Sequence, residues 1–337
     1  MQYQATYKKH ILDFKQAAKT SRNTLKQKPT YLITISDTEK EIIGTGEAST
    51  IEGLSRDNEE LIEDKISTVC AEINQTQKLN PASDLSLFPA VKFGFETAIR
   101  DLQMGGEKIF YETDFTQKRK GIPINGLIWM GDLAFMKEQI LEKLENGYNC
   151  LKLKIGSHHF NDELALIRQI RKEFTARDIV LRVDANGAFA NSEAFEKLKR
   201  LADLDIHSIE QPIMAGQWDE MARLCAQTPL PIALDEELIS VQEKNQILET
   251  IKPQYIILKP SLLGGFEESN KWIKAAEKNS IDWWATSALG SNIGLNAIAQ
   301  WVSTHPIETH QGLGTGQLYT NNIASNLSIE KGYLYFN

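Results

Sequence analysis

Charged residues close five successive apolar stretches of the sequence. The stretches end in Leu-Lys-Leu-Lys, Val-Asp-Ala-Asn, Ile-Glu-Gln-Pro, Leu-Asp-Glu-Glu and Leu-Lys-Pro, and their charges are those of Lys154, Asp184, Glu210, Asp235 and Lys259. Successive charges lie 30, 26, 25 and 24 residues apart, about the length of one strand and one helix. We therefore expect all five at the carboxyl ends of parallel strands, where barrel enzymes hold their catalytic groups. A lone acid such as Asp235 would more often cap a helix, but five charges in series favour a site.

The three acids suit a divalent cation. Counting strands places Asp184, Glu210 and Asp235 after the third, fourth and fifth, so they occupy one arc of a ring of eight. Carboxylate oxygens without Cys or His favour a hard ion, and we predict a site for Mg²⁺, with Mn²⁺ able to substitute. The alternative is a ring of structural salt bridges. We consider it weaker because Lys154 and Lys259 follow the second and sixth strands, on opposite sides, and are not both expected to pair with one arc.

A second lysine precedes Lys154 on the same strand. Lys152 and Lys154 are two residues apart, so both side chains point to one face. Two ammonium groups beside each other and beside a dication favour a neutral amine, which predicts a lowered pKa and a lysine competent as a base. Lys152 could equally be the counterion of a neighbouring acid, and the two roles are compatible.

This arrangement suits the removal of a proton α to a carboxylate. Such a proton is weakly acidic, and its loss puts two negative charges on one enediolate. A metal at the carboxylate oxygens stabilises that charge as it develops, while an adjacent lysine takes the proton. The sequence therefore predicts proton abstraction from a small-molecule carboxylate substrate.

The elements expected to hold these residues alternate between strand and helix. From about residue 122, amphipathic helical stretches separate eight apolar strand signals, which favours a closed (β/α)8-type barrel over an open sheet. The predicted strands cover Ile122–Trp129, Cys150–Ile155, Ile179–Asp184, Ser208–Glu210, Ile232–Asp235, Tyr255–Lys259, Trp283–Thr286 and Thr309–Leu313.

The first hundred residues have a different, α+β pattern. Tyr31–Ile35 predicts a strand, and helical patterns follow at Asn58–Glu72 and Pro89–Met104. Between them, Thr45–Arg56 is rich in Gly, Ser and Thr, which is typical of a mobile loop. We predict that this loop closes over the substrate and helps to set specificity.

Composition narrows the classes of function. The 337 residues carry a net charge of −8, which argues against nucleic acid or an anionic membrane as the main partner. No apolar run approaches the roughly 18 residues of a membrane span, and the opening stretch lacks the apolar segment of a signal peptide. Cys70, Cys150 and Cys225 are too widely spaced for a disulfide framework or a zinc cluster. We predict a cytoplasmic protein with no nucleic-acid or membrane partner.

The motifs together resemble the muconate-lactonising subgroup of the enolase superfamily, which pairs a lysine base with Mg²⁺. The likeness rests on Lys-x-Lys, Asp-Ala-Asn, Glu-Gln-Pro, Asp-Glu and Lys-Pro on the second to sixth strands and extends over the whole chain. It implies that the three acids bind Mg²⁺ and that Lys154 and Lys259 are the catalytic acid/base pair.

The resemblance also implies the architecture. The fold class is α/β, with a modified TIM barrel, (β/α)7β, over residues 105–312 and an N-terminal α+β capping domain over residues 1–100. The C-terminal tail, residues 313–337, is expected to complete the capping domain. The last strand signal, YLYF, is expected to return to the N-terminal region.

Four further stretches narrow the implied reaction. They begin at Phe93, Pro123, Thr286 and Gly312, and they imply a lyase for the Mg-dependent syn-dehydration of 2-succinyl-6-hydroxy-2,4-cyclohexadiene-1-carboxylate to o-succinylbenzoate in menaquinone biosynthesis. The alternative is racemisation of N-succinylamino acids by the same lysine pair. A non-catalytic barrel is a third hypothesis, which five matching charges disfavour. Gly-Leu-Gly-Thr-Gly stands where dipeptide epimerases carry Asp-x-Asp, which disfavours dipeptides.

Residues 287–294 open a predicted helix, so their backbone N–H groups could hold a substrate carboxylate. Ordinary capping of that helix by Ser291 or Asn292 is an equal alternative. Some members of the subgroup carry an arginine directly after Asp-Ala-Asn, where this chain has Gly187, so contacts through that arginine do not transfer. The candidate substrate contacts are Lys152, Asn186, Ser287, Gly290 and Ser291.

Overall fold

An antiparallel sheet of three strands and two helices form the N-terminal part of the protein in the computed structural model. The strands pair in chain order, and the elements are β1 (Tyr3–Lys19), β2 (Thr24–Asp37), β3 (Ile42–Ser49), α1 (Ile62–Thr76) and α2 (Pro89–Gln103). A separate apolar core, which includes Ile33 and Ile35 of β2, lies between the sheet and the helices. The structure describes residues 2–19, 24–129, 131–239, 241, 243–307 and 309–337. The remaining positions of the predicted domains lie outside the described residues.

The expected mobile loop is wrong over its first part, because Thr45–Ser49 belongs to strand β3. Its glycines serve close packing against α2. A Cβ atom at Gly46 would lie 2.0 Å from the carbonyl oxygen of Gly94, so only glycine lets the helix approach the strand. Residues 50–56 do form a loop, whose turn is closed by backbone hydrogen bonds to the carbonyl of Ile51.

Parallel strands and helices alternate through the rest of the chain, as the periodicity predicts. After the short strand β4 (Ile122–Pro123), one sheet contains, in chain order, β5 (Gly126–Ile128), β6 (Cys150–Lys154), β7 (Val180–Asp184), β8 (Ser208–Glu210), β9 (Ile232–Leu234), β10 (Tyr255–Leu258) and β11 (Asp282–Ala285). The helices are α3 (Leu133–Glu145), α4 (Phe160–Glu173), α5 (Asn191–Ala202), α6 (Trp218–Gln227), α7 (Lys244–Ile251), α8 (Pro260–Leu263), α9 (Phe266–Lys278) and α10 (Asn292–Val302). Across the described ranges, no helix is long and apolar enough to cross a membrane.

The sheet closes into a barrel at the predicted eighth strand, which is reduced to two single-residue bridges. Gln311 pairs with Ile124, just before the first barrel strand, and Gly312 pairs with Thr286, just after the seventh. The N–H of Gly312 also donates to the carbonyl of Ala285 at 2.8 Å. One short segment thus joins both edges of the sheet. The predicted (β/α)7β barrel with an N-terminal α+β part is therefore confirmed.

The C-terminal tail is divided between the two parts of the chain. Tyr319 forms a bridge to Phe14 of β1. In contrast, the hairpin of β12 (Leu327–Glu330) and β13 (Tyr333–Phe336) pairs with β4, which precedes the first barrel strand. The expectation that the YLYF strand returns to the N-terminal region is therefore wrong, since that strand adds to the barrel side.

Candidate active site

The five strand-end charges meet at one rim of the barrel. Lys154 and Asp184 are paired across β6 and β7, and Asp184 and Glu210 are paired across β7 and β8. Asp235 follows β9 and Lys259 follows β10, so the two lysines stand at either end of the three acids. The acids are buried, none being more than 2% exposed. The structure thus brings together all five residues that the spacing singled out.

Lysines and acids form two groups of ion pairs at this rim, one around Asp184 and one at Asp235. We expected that Lys154 and Lys259 could not both pair with one arc of acids, and this is wrong. The arc spans three strands, so each lysine reaches the acid at its own end. The pairs are Lys154–Asp184 (3.0 Å), Lys152–Asp184 (2.9 Å), Lys152–Glu210 and Lys259–Asp235.

The acids set the charge state of two of the lysines. Burial alone would lower the pKa of Lys152 and of Lys259, but the surrounding carboxylates outweigh burial and raise both pKa values. The expectation that a second ammonium group beside a dication favours a neutral amine stays a prediction, because it depends on a bound ion that would take up the carboxylates now paired with Lys152. Its two carboxylate contacts make Lys152 a counterion, the alternative considered from the sequence.

Glu210 is the least satisfied of the three acids. Burial and the charge of Asp184 raise the pKa of Glu210, and burial raises the pKa of Asp235. Burial opposes ionisation of Asp184 as well, but Lys152 and Lys154 overcome it and lower its pKa. Glu210 Oε1 is buried without a hydrogen-bond partner. Buried polar atoms without a partner are rare in native proteins. Within the described ranges, no three Asp, Glu, His or Cys side chains are already grouped as a metal site.

Two residues that follow strands β7 and β8 adopt a left-handed backbone conformation. Asn186 has a φ of 44° and Gln211 a φ of 39°, a conformation that is costly for residues other than glycine and clusters at functional sites. The Asn186 amide is oriented from both sides, because Oδ1 accepts from Lys154 at 2.6 Å and Nδ2 donates to Glu236 at 2.9 Å. Glu236 is not among the residues that the sequence pattern singled out. Its position directly after Asp235 was the available signal.

A cavity of about 500 Å³ lies over this rim and is lined by both parts of the chain. The barrel contributes Trp129 and Ser287 beside the charged groups. The residues of β1 could not be identified from the sequence, because nothing in their pattern sets them apart and only tertiary packing brings them to the cavity. The N-terminal side of the lining includes Phe14, Lys15, Ile51, Glu52 and Leu54.

Two of the predicted substrate contacts, Ser291 and Gly290, lie beside a buried acid of the N-terminal part of the chain. Ser291 is fully buried, and its N–H and Oγ both donate to Glu47 of β3, at 2.7 and 2.8 Å. A Cβ atom at Gly290 would lie 3.3 Å from the same carboxylate. Neither residue is among the described residues that line the cavity, and substrate binding by Ser291 and Gly290 stays a prediction. Ser291 also caps α10, where its Oγ accepts from the N–H of Ile293 at 3.1 Å.

The structure also explains why an arginine is missing after Asp-Ala-Asn. Gly187 has a φ of 76°, and a Cβ atom there would lie 3.0 Å from the Cα of Met214. A larger residue would strain the backbone and displace the chain that follows β8. This protein therefore cannot bind a substrate through an arginine at position 187.

Comparison with protein families and solved structures assigns the chain to a family. The family described as Enolase C-terminal domain-like matches residues 136–337. A dipeptide epimerase from Enterococcus faecalis, solved with Mg and the dipeptide L-Leu-L-Tyr, has the same fold, with a TM-score of 0.85, 20% identity and coverage of 100% of this chain and 98% of that one. The chain belongs to the enolase C-terminal domain-like family, in agreement with the superfamily that the motifs indicate.

Individual relatives of this chain have names that refer to particular reactions. The chain is 45% identical to the o-succinylbenzoate synthase of Desulfotalea psychrophila over 98% of both chains. The crystal structure of MenC from the same organism has a TM-score of 0.87 at 43% identity and covers 99% of this chain and 100% of its own. The N-succinyl-L-Arg/Lys racemase of Bacillus cereus is 27% identical over 66% of this chain and 60% of its own. These relatives represent the two reactions weighed from the sequence.

Proposed function

We propose that the protein is an o-succinylbenzoate synthase, a lyase that dehydrates 2-succinyl-6-hydroxy-2,4-cyclohexadiene-1-carboxylate to o-succinylbenzoate. The observation that carries this proposal is the 45% identity, over 98% of both chains, to an enzyme of that name. The reaction would serve menaquinone biosynthesis. The three free and buried cysteines fit a reducing cytoplasm as its location.

The acids Asp184, Glu210 and Asp235 would hold Mg²⁺, with Mn²⁺ able to substitute. Three carboxylates are the donors that a hard cation prefers. Glu210 Oε1 has no hydrogen-bond partner, and the pKa values of Glu210 and Asp235 are raised. Both observations indicate buried carboxylates that a further positive charge would stabilise. When bound, the ion would neutralise charge that develops on the substrate carboxylate.

Lys154 would remove the proton α to the ring carboxylate. Its Nζ lies 3.0 Å from Asp184 Oδ2 and 2.6 Å from Asn186 Oδ1, so its amine is held in one place at the cavity. Lys259, on the opposite side, has a raised pKa because of Asp235 and its neighbours. It would stay protonated and stabilise the enediolate by its charge.

The hydroxyl group would leave from the same face of the ring. Lys154, which now carries the proton, donates it to the departing oxygen, and water is released. The electron pair of the enediolate forms the new ring double bond. Because aromatisation makes this step strongly downhill, the site mainly has to lower the barrier of the first proton transfer.

An ultraviolet assay tests the reaction directly. Purified protein with Mg²⁺ should abolish the absorbance of the conjugated diene in the substrate. In parallel, D- and L-N-succinylamino acids should be tested for racemisation, because a relative of that activity shares the fold and the same lysine pair could serve it. Failure to consume the diene together with rapid racemisation would overturn the proposal in favour of the racemase.

The loop of residues 50–56 is proposed to close over the substrate and to help set specificity. Ile51, Glu52 and Leu54 line the cavity. Binding of the product o-succinylbenzoate should therefore slow amide hydrogen exchange in residues 50–56 by about tenfold. The adjoining strand, Ile42–Ser49, provides the internal control, because its amides report the general stabilisation by the ligand, and the loop should slow more than the strand does. Unaltered exchange in the loop would argue against a lid.

A further inference from the structure

A buried acid in the N-terminal part of the chain accepts hydrogen bonds from the start of helix α10 of the barrel. Glu47 of β3 is 1% exposed and accepts hydrogen bonds from the N–H groups of Ser291 and Gly294, at 2.7 and 2.8 Å, and from Ser291 Oγ at 2.8 Å. Thr30 of β2 donates to the same carboxylate at 2.6 Å. A negative charge at a helix N-terminus is favourable. Glu47 therefore fixes where α10 begins.

A buried lysine holds the residues immediately before that helix. Lys28 of β2 is 2% exposed, and its Nζ donates to the carbonyl of Leu289 at 3.0 Å, to the carbonyl of Ala288 at 3.3 Å and to Ser49 Oγ at 2.5 Å. Burial lowers the pKa of Lys28 to about 8. An ammonium group this deeply buried is stabilised only while its acceptors stay in place.

The segment held in this way borders the cavity. Residues 286–289 all line it. Leu289 has a φ of 55°, a left-handed conformation that a leucine adopts only when its surroundings impose it. Its carbonyl accepts from Lys28 and also from the hydroxyl of Tyr319, at 2.6 Å. Loss of these contacts would let the wall of the cavity relax.

We propose that Lys28 and Glu47 are positioning residues for substrate binding, which hold residues 286–289 in the conformation that forms one wall of the cavity. The two parts of the chain would then bind substrate as one unit. The inference rests on the proposed function only in taking this cavity as the substrate site. It concerns affinity, and neither residue lines the cavity or contacts the groups that transfer protons.

The chain offers a matched control for Glu47. Glu96 of α2 also reaches across to the barrel and accepts the N–H groups of Phe266 and Glu267, at 2.7 and 3.0 Å, where α9 begins. Neither of those residues is among the described residues that line the cavity. Glu96→Gln should therefore cost stability alone.

The test compares Glu47→Gln, Lys28→Met and Glu96→Gln with the parent. A lost hydrogen bond to a charged group is worth a factor of about ten, so Glu47→Gln and Lys28→Met should raise KM about tenfold with kcat changed less than about threefold. Lys28→Arg, which keeps the cation, should restore much of the affinity. Glu96→Gln should lower the melting temperature and leave KM unchanged.

A melting-temperature loss in Glu47→Gln with KM unchanged would overturn the proposal, as would a fall in kcat alone. Ser291→Ala, which removes only one donor to Glu47, replaces Glu47→Gln if that variant does not fold, and the same KM increase is expected in smaller measure. Turnover by the parent is measured first. If the parent racemises N-succinylamino acids instead, the same KM comparison is made with that substrate, so failure of the proposed function and failure of the positioning role are separate results.

Discussion

Replacing Lys154 by alanine should lower kcat/KM for the dehydration by about 10⁴-fold, the upper end of what a general base contributes. The loss is expected to be this large because one amine both takes the α-proton and protonates the leaving hydroxyl. The fold should persist, since Asp184 keeps Lys152 as a partner at 2.9 Å. The measurement is the ultraviolet assay at saturating Mg²⁺, with circular dichroism to check the fold.

Lys244→Ala is the matched control for this prediction. Lys244 is also a partly buried lysine in an ion pair, with Glu268 at 3.0 Å, but it is not among the described residues that line the cavity. Its loss should leave kcat/KM nearly unchanged. Turnover by Lys154→Ala within tenfold of the parent would show that another group is the base.

Lys259→Ala distinguishes the two candidate reactions. In the dehydration Lys259 only stabilises charge, so the variant should be slowed yet still exchange the α-proton through Lys154. In a racemisation each lysine serves one configuration, so exchange from one enantiomer should stop altogether.

The placement of the charged rim was predictable because it depends on local pattern. Lys154, Asp184 and Glu210 follow short apolar strands at nearly constant intervals, and parallel strands in register bring such residues together whatever surrounds them. The charge state of Lys152 was not predictable in the same way. It depends on the ion pairs of Lys152 with Asp184 and Glu210, and no spacing in the sequence gives those contacts.

Contacts between the two parts of the chain were hidden for a related reason. Ser291 stands at a helix start near the site, which is typical of an anion-binding residue. The carboxylate that it holds belongs to Glu47, 244 residues away in the chain. The glycines around Glu47 suggested a mobile loop, although they permit close packing of α2 on β3. Sequence pattern identifies which groups could bind a carboxylate, and tertiary packing decides whose carboxylate it is.

Glu210→Gln should remove the proposed ion site while preserving the shape of the side chain. The change replaces the buried oxygen that lacks a partner, Oε1, and the oxygen that contacts Lys152 by a neutral amide. At Mg²⁺ 100 times its Kd, the parent should gain about 2.7 kcal/mol in unfolding free energy, and the variant almost none. Its kcat/KM should fall by about 10³-fold, because a bound cation supplies several kcal/mol of charge stabilisation.

Asp101→Asn is the matched control for the metal prediction. Asp101 is as deeply buried as Glu210 and accepts the N–H groups of Thr45 and Lys108, at 2.8 and 2.7 Å, but it is not among the described residues that line the cavity. Its variant should be less stable than the parent and yet gain the same stabilisation from Mg²⁺, because the three rim acids are unchanged. Full activity of the parent after chelation of divalent ions would contradict the ion site. So would a Glu210→Gln variant that Mg²⁺ stabilises as strongly as the parent, since the lysine ion pairs alone would then account for the buried acids.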